Sequence, residues 1–249
     1  MRKARFFMLA VVYGMILSSC GYQANHSSPK IYNGSVDRQY NSVGLLVRGD
    51  KLWCSATRIG QQTALSAGHC FEGQNQEPSD LVLRFAADEV KVNRVTVHPW
   101  YRDWFGRVTH DVAILHLARK PLDTPITPIA TEAPEVDDEV ILVGYGYTDA
   151  NLKESMDGTR RWGTNVVGDV DTYKLFFPEP ENDKTSQTCR GDSGGPILSL
   201  YKGRTVQIGI VSGSTDGRAR KTCRIETYAA RVDAYVSWIE DASQGDVKL

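Results

Sequence analysis

The sequence predicts an all-β body closed by a single helix near its C-terminal end. Three observations point there. Short runs rich in β-branched and aromatic residues alternate with turns along most of the chain. The 22 glycines and 10 prolines are scattered rather than clustered, as many short strands joined by turns require. One late segment alone, Val232-Asp233-Ala234-Tyr235-Val236-Ser237-Trp238-Ile239-Glu240, repeats its apolar residues at helical spacing.

The expected strands fall at residues 43–46, 52–57, 63–66, 81–85, 90–97 and 112–117, then at 139–143, 163–168, 196–200, 206–212 and 225–229. The chain has 249 residues, 41% apolar and 24% charged, enough to bury a full core in one large domain or two small ones, and all-β proteins often use this length for a single domain. Its net charge of −1 gives no electrostatic footprint for nucleic acid, and none is expected as a partner. There is no internal repeat and no low-complexity tract. A monomer is expected.

Residues 1–20 read as an export signal: a basic start, Met1-Arg2-Lys3-Ala4-Arg5, precedes an apolar run too short for a permanent span. The run ends Leu17-Ser18-Ser19-Cys20, which resembles a bacterial lipobox whose cysteine is lipidated. The alternative is a plain secretory peptide with Cys20 as a spare thiol. Cys20 is the odd one of five cysteines, which favours lipidation, and Gly21 after it points to an outer membrane. Residues 21–30 are small, polar and aperiodic, a tether. Residues 31–249 form the domain.

The chemistry is carried by Cys189-Arg190-Gly191-Asp192-Ser193-Gly194-Gly195-Pro196. Glycines around a serine allow a tight turn in which a hydroxyl and backbone N–H groups converge, as acyl transfer needs. Taken alone, Gly191-x-Ser193-x-Gly195 also fits the elbow of an unrelated hydrolase fold, or a plain turn. Two further segments decide. Leu65-Ser66-Ala67-Gly68-His69-Cys70 ends an apolar strand on a histidine, and Asp111-Val112-Ala113-Ile114-Leu115 starts one with an aspartate. A strand apolar at every position is buried, so its leading carboxylate needs a donor, which an imidazole N–H supplies. The elbow hydrolases run serine, acid, histidine, but no histidine follows Ser193.

With Ile31-Tyr32-Asn33-Gly34, Gly144-Tyr145-Gly146 and Tyr235-Val236-Ser237-Trp238-Ile239 added, the chain resembles the chymotrypsin/trypsin-like serine proteases from residue 31 to about 239. The resemblance implies two six-stranded antiparallel β-barrels with the site between them, one supplying His69 and Asp111 and the other Ser193. It implies Ser193 as nucleophile, His69 as base, Asp111 as its orienting partner, and the N–H groups of Gly191 and Ser193 as oxyanion hole. It implies cleavage between Lys30 and Ile31, after which Asp192 pairs with the new ammonium of Ile31. It also implies the bridges Cys54–Cys70 and Cys189–Cys223. Two further bridges of the animal digestive enzymes have no cysteines here, so the Gly144 region and the loop before Ser193 are expected to be held by packing alone. No cysteine ties residues 21–30 to the body, so cleavage would also release the domain from a lipid anchor.

The family pattern places Gln187 at the floor of the specificity pocket, Ser212-Gly213-Ser214 along its wall and Thr227 where an open pocket has glycine. A neutral floor and a β-branched wall favour small or mid-sized uncharged side chains. A separate trypsin-like protease is then needed to cut at Lys30. Protein or peptide substrates are the expected partners. No cofactor is implied; the polar loop 72–80 lacks a calcium-loop spacing and reads as a solvated loop, so no metal is expected. A silent relative that only binds, or an esterase using the same serine, are the competing functions; the complete set of motifs favours the protease.

Overall fold

The computed structural model describes residues 31–104, 107–150, 156–181, 184–215 and 222–248. The expected signal peptide and tether, with Cys20 and Lys30, lie outside the described residues. The chain opens with β1 (Ser35–Val36), β2 (Val43–Arg48), β3 (Lys51–Arg58), β4 (Thr63–Ser66), β5 (Leu81–Arg84) and β6 (Glu89–Val97). A small hairpin, β7 (Arg102–Trp104) and β8 (Arg107–Thr109), precedes β9 (Ala113–Leu117). The second half holds β10 (Glu139–Gly144), β11 (Arg161–Val166), β12 (Asp169–Val170) and β13 (Lys174–Phe177). It ends with β14 (Pro196–Tyr201), β15 (Arg204–Ser214), β16 (Thr227–Arg231) and one helix, α1 (Val236–Ala242).

Strands β2-β3-β4-β9-β6-β5 close into a six-stranded barrel. Closure leaves β4 and β9 covered on both faces, which is why their sequences, Thr-Ala-Leu-Ser and Ala-Ile-Leu-His-Leu, scarcely alternate. The longer β6 keeps a two-residue rhythm, its valines inward and its charges outward. The second half is one antiparallel sheet in the order β1-β11-β10-β14-β15-β16-β13-β12. Six longer strands make its body, and the two-residue strands β1 and β12 extend its ends. An all-β, chymotrypsin-like architecture of two halves and a terminal helix follows.

The halves meet through Val43, Leu45 and Val47 on one side and Val143, Tyr145 and Leu198 on the other. The terminal helix crosses back: Ile239 packs into the core of the first barrel with Val232, Tyr235 and Val247. Asp246 then accepts hydrogen bonds from the Gln61 and Gln62 N–H groups and from the Thr63 hydroxyl, at 3.1, 2.8 and 2.7 Å. The expected nine-residue helix is in fact a 3₁₀ turn at Asp233–Tyr235 followed by α1.

The segments expected to rest on packing alone have polar clamps instead. Arg160 pairs with Asp37, both buried, and spends its remaining donors on Asn41 Oδ1 at 2.7 Å, the Val43 carbonyl at 3.2 Å and the Tyr145 hydroxyl at 3.4 Å. Before Ser193, Asn165 Nδ2 donates to the Ser186 carbonyl at 2.8 Å and Ser186 Oγ to the Asn33 carbonyl at 3.0 Å. With no disulfide available, buried donors and acceptors take over the tethering.

Candidate active site

Antiparallel pairing of β4 with β9 sets Ser66 opposite Ala113, so the residues just beyond each strand end are neighbours. After β4 the chain makes a 3₁₀ turn, Gly68–Phe71, that carries His69. Before β9 stands Asp111, 2% exposed. Both carboxylate oxygens face the turn: Oδ1 accepts the His69 backbone N–H and Oδ2 accepts from the ring at Nδ1, each at 2.7 Å. The ring is thereby fixed in position, and the tautomer with its proton on Nδ1 is the one that donates. Ser212 donates a third hydrogen bond, to Oδ2.

Burial pushes the His69 imidazole down, but the Asp111 charge and hydrogen bond outweigh it and its pKa lies above the ordinary 6.5. Burial likewise works to raise the Asp111 carboxyl, and the His69 charge with the hydrogen bonds from His69 and Ser212 hold it below the usual range. The Cys54–Cys70 disulfide locks the turn to β3, and Trp53 Nε1 donates to the Cys70 carbonyl at 2.7 Å.

Ser193 lies on a loop whose glycines 191 and 194 have φ of +88° and +79°. At Gly194 a Cβ would lie 2.3 Å from the Ser55 carbonyl oxygen and 2.2 Å from Ser66 Oγ, so no side chain fits. The loop is bonded to both halves: Ser55 N–H donates to the Ser193 carbonyl, and Gly194 N–H to that of Val211, each at 2.8 Å. The Asp192 and Gly195 N–H groups are also used, by the Cys189 and Asp192 carbonyls. Among the described residues, the Gly191 and Ser193 N–H groups have no such acceptor. Nor does a hydrogen bond join Ser193 Oγ to His69 within them; His69 Nε2 lies 4.0 Å from Cys70 Sγ. Such contacts commonly tighten only when substrate binds.

Asp192 is fully buried, accepting the Gly146 N–H at 2.7 Å and the Cys189 N–H at 2.8 Å. The Gly144-Tyr145-Gly146 motif has its reason here, since a Cβ on Gly144 would sit 2.2 Å from Asp192 Oδ1. Ile31 is also fully buried, in a core with Val140, Leu142 and Leu175. Its neighbour Tyr32 exchanges backbone hydrogen bonds with Gln187 at 2.8 and 3.1 Å.

Beside the loop the remaining candidate residues come together. Gln187 and Thr227 touch, Thr227 Oγ1 donating to Gln187 Oε1 at 2.7 Å. Ser214 pairs with Thr227, and Gly213 with Tyr228, across β15 and β16. Ser212 turns away from them toward Asp111. The Cys189–Cys223 disulfide ties the start of the serine loop to the segment leading into β16.

A family model described as Trypsin matches residues 31–239. The chain belongs to the trypsin family. Vitamin K-dependent protein C from Mus musculus is 24% identical over 245 residues, covering 85% of this chain and 51% of the relative. The protein C of Oryctolagus cuniculus is 25% identical, with 85% and 52% covered. Chymotrypsin-like elastase family member 1 of Felis catus is 24% identical over 220 residues, 76% of this chain and 77% of the relative. The chain spans about half the length of the protein C relatives it matches.

Within this trypsin-family site, two residues escaped the sequence reading. Ser55 joins the halves: besides its bond to Ser193, its hydroxyl donates to the Gly191 carbonyl at 3.3 Å and accepts the Tyr145 N–H at 3.3 Å. Nothing in the run Trp53-Cys54-Ser55 marks that role except its place beside Cys54. Asn75 in the polar loop accepts the Val97 N–H at 2.7 Å, so that loop is built by its own hydrogen bonds.

Proposed function

We propose that this chain is a serine endopeptidase precursor, and the observation that carries the reading is the doubly bonded Asp111–His69 pair beside the Ser193 loop. Ser193 Oγ attacks the scissile carbonyl carbon while His69 Nε2 takes its proton; the same proton passes to the departing amine. Water, deprotonated by His69, then releases the acyl group and restores Ser193. Asp111 holds the ring and stabilises the imidazolium. The N–H groups of Gly191 and Ser193 hold the oxyanion.

Cleavage after Lys30 switches the enzyme on by delivering the ammonium of Ile31 to Asp192. Burial of both residues supports this, since it sets the two members of the proposed pair inside the protein together. So does the backbone of Ile31, whose φ of +52° is strained for a β-branched residue and is relieved once the bond before it is cut. The basic start and lipobox-like residues 1–20 support export and lipidation at Cys20, with activation releasing a monomeric domain to the periplasm or medium. Neutral, mutually bonded Gln187 and Thr227 support cleavage after small uncharged residues, so the activator is another, Lys-directed protease.

The test is labelling with a fluorophosphonate before and after brief trypsin treatment, with Lys30→Gln and Asp192→Asn alongside. Label on Ser193 only in the treated wild type is expected. An unlabelled Ser193 in the treated wild type overturns the enzyme reading, and equal labelling of the untreated chain overturns the switch.

A further inference from the structure

His110 stands directly before Asp111, and its backbone is left-handed, with φ of +49°. That region is strained for most side chains and is tolerated best by glycine, asparagine, aspartate and histidine. The Val112 N–H then donates to the His110 carbonyl at 2.9 Å, closing a three-residue turn with Asp111 at its crest. The His98 N–H donates to the Val112 carbonyl at 3.0 Å, and β9 begins one residue later. The turn has no slack to lose, because both oxygens of Asp111 are bonded to His69 at 2.7 Å.

Rings from three separate parts of the chain surround the His110 imidazole. His98, just past β6, stacks on it with ring centres 5.1 Å apart and planes 11° from parallel. Trp100 meets it edge-on at 5.7 Å. Tyr173, just before β13 in the second sheet, packs against it at 4.6 Å. Tyr235, in the 3₁₀ turn before α1, packs at 5.9 Å, and its hydroxyl lies 3.3 Å from His110 Nδ1. Aromatic pairs of this kind attract beyond the area they bury. The ring is thus fastened to the first barrel, the second sheet and the terminal segment together. A backbone strained on its own persists where its surroundings over-determine it.

We propose that His110 is a positioning residue: the rings around it hold its backbone left-handed, and the turn so made aims the Asp111 carboxylate at His69. This rests on the endopeptidase reading. His110 acts through Asp111 and not on the reacting atoms. A residue that prefers extended backbone would open the turn and carry the carboxylate off its line to His69 Nδ1. A displacement of about 1 Å in such a constellation costs on the order of 100-fold in rate. Asparagine accepts the left-handed region without any ring to hold it there, so it should keep the aim.

The experiment uses the full chain after trypsin treatment and removal of the trypsin. Hydrolysis of p-nitrophenyl acetate is measured per Ser193 labelled to completion by the fluorophosphonate. An unlabelled wild type overturns the endopeptidase reading and this proposal with it. Given a labelled wild type, His110→Val is expected to lower kcat about 10- to 100-fold with KM unchanged. The acid limb of its pH profile should drop toward 6.5, because an imidazole parted from the Asp111 charge loses what holds its pKa up. His110→Asn should stay within about 3-fold of the wild type with its limb in place, since its backbone takes the left-handed region at little cost. Both variants lack the imidazole at 110, so its titration and its packing cancel between them. Wild-type kcat and limb in His110→Val, or a loss in His110→Asn as large as in His110→Val, overturns the proposal. Counting only labelled sites keeps partial unfolding from imitating either result. Where His110→Val gives no labelled sites, His110→Ala is judged against His110→Asn on the same terms.

Discussion

Thr227 donates a hydrogen bond of 2.7 Å to Gln187 Oε1, joining two buried residues 40 positions apart. The rest of the amide is also committed. Its Nε2 faces the carbonyls of Pro178 at 2.9 Å, Ile225 at 3.0 Å and Phe177 at 3.3 Å, and Oε1 takes the Thr188 N–H at 2.9 Å. A fully satisfied amide has no donor or acceptor left for the end of a long charged side chain, and a Lys or Arg reaching it would lie against a neutral group. The specificity pocket proposed above would thus have a short, uncharged floor.

Thr227→Gly should lengthen the proposed pocket. The hydroxyl and methyl leave, and Gln187 Oε1 keeps the Thr188 N–H as a partner. Profiling a mixed protein digest by mass spectrometry should show wild-type cleavage after small uncharged residues. The variant should shift toward larger apolar ones by about 10-fold or more, since each added methylene is worth about 1–3 kcal/mol. An unchanged profile would mean that Thr227 does not bound the substrate side chain.

Asp111→Asn should leave the fold intact and lower kcat by about 10⁴-fold, because an amide cannot fix the required tautomer of His69. In the wild type, kcat/KM should rise with pH as His69 loses its proton. Since the Asp111 charge holds that pKa above its ordinary value, the acid limb should lie above pH 6.5. A limb below 6.5 would contradict the geometry of the pair.

The candidate catalytic residues could be picked out because their local sequence also makes their local geometry. The glycines that turn the Ser193 loop, and the apolar strand that buries Asp111, are written within a few positions of the groups they serve. The long strands were legible for the same reason. Strands β1, β7, β8, β12 and β13 were not: Ser-Val, Arg-Asp-Trp, Arg-Val-Thr, Asp-Val and Lys-Leu-Phe-Phe become strands through their partners, not their pattern. The turn of Ser212 toward Asp111 depends on the β15–β16 register and its bulge, which no single segment contains. Asp37 and Arg160 stand 123 positions apart, each an ordinary surface-type residue until the fold buries both.

Breaking that pair should be costly. Arg160→Met leaves the Asp37 carboxylate buried with, among the described residues, only the Gln39 and Tyr40 N–H groups donating to it, at 2.6 and 3.2 Å. Removal of one partner from a buried pair costs about 3–5 kcal/mol, whereas replacing both with apolar groups recovers much of it. Urea unfolding should therefore rank Arg160→Met below the double variant Asp37→Leu/Arg160→Met. The opposite ranking would show that Arg160 acts through Asn41, Val43 and Tyr145 rather than through Asp37.

Stability should also fall on mild acidification, through a pair of histidines that handle no proton of the reaction. His98 and His110 stack with ring centres 5.1 Å apart and planes 11° from parallel, enclosed by Trp100, Tyr173, Tyr235 and Trp238. His98 Nδ1 accepts the Trp100 N–H at 3.2 Å, which a protonated nitrogen cannot do. Burial, then the neighbouring His110, pushes His98 down to about 4; burial, then Arg102, lowers His110. A lowered histidine pKa means that the unfolded chain binds the proton first. The stabilisation is thus complete above pH 6.5 and is lost as pH falls toward 4. For His98 this amounts to about 1–2 kcal/mol between pH 7 and pH 5. His69, with its raised pKa, works in the opposite sense, so the comparison needs a variant. Against the wild type, His98→Phe should show a flatter dependence of the melting midpoint on pH across that window. Identical slopes would place the acid sensitivity elsewhere.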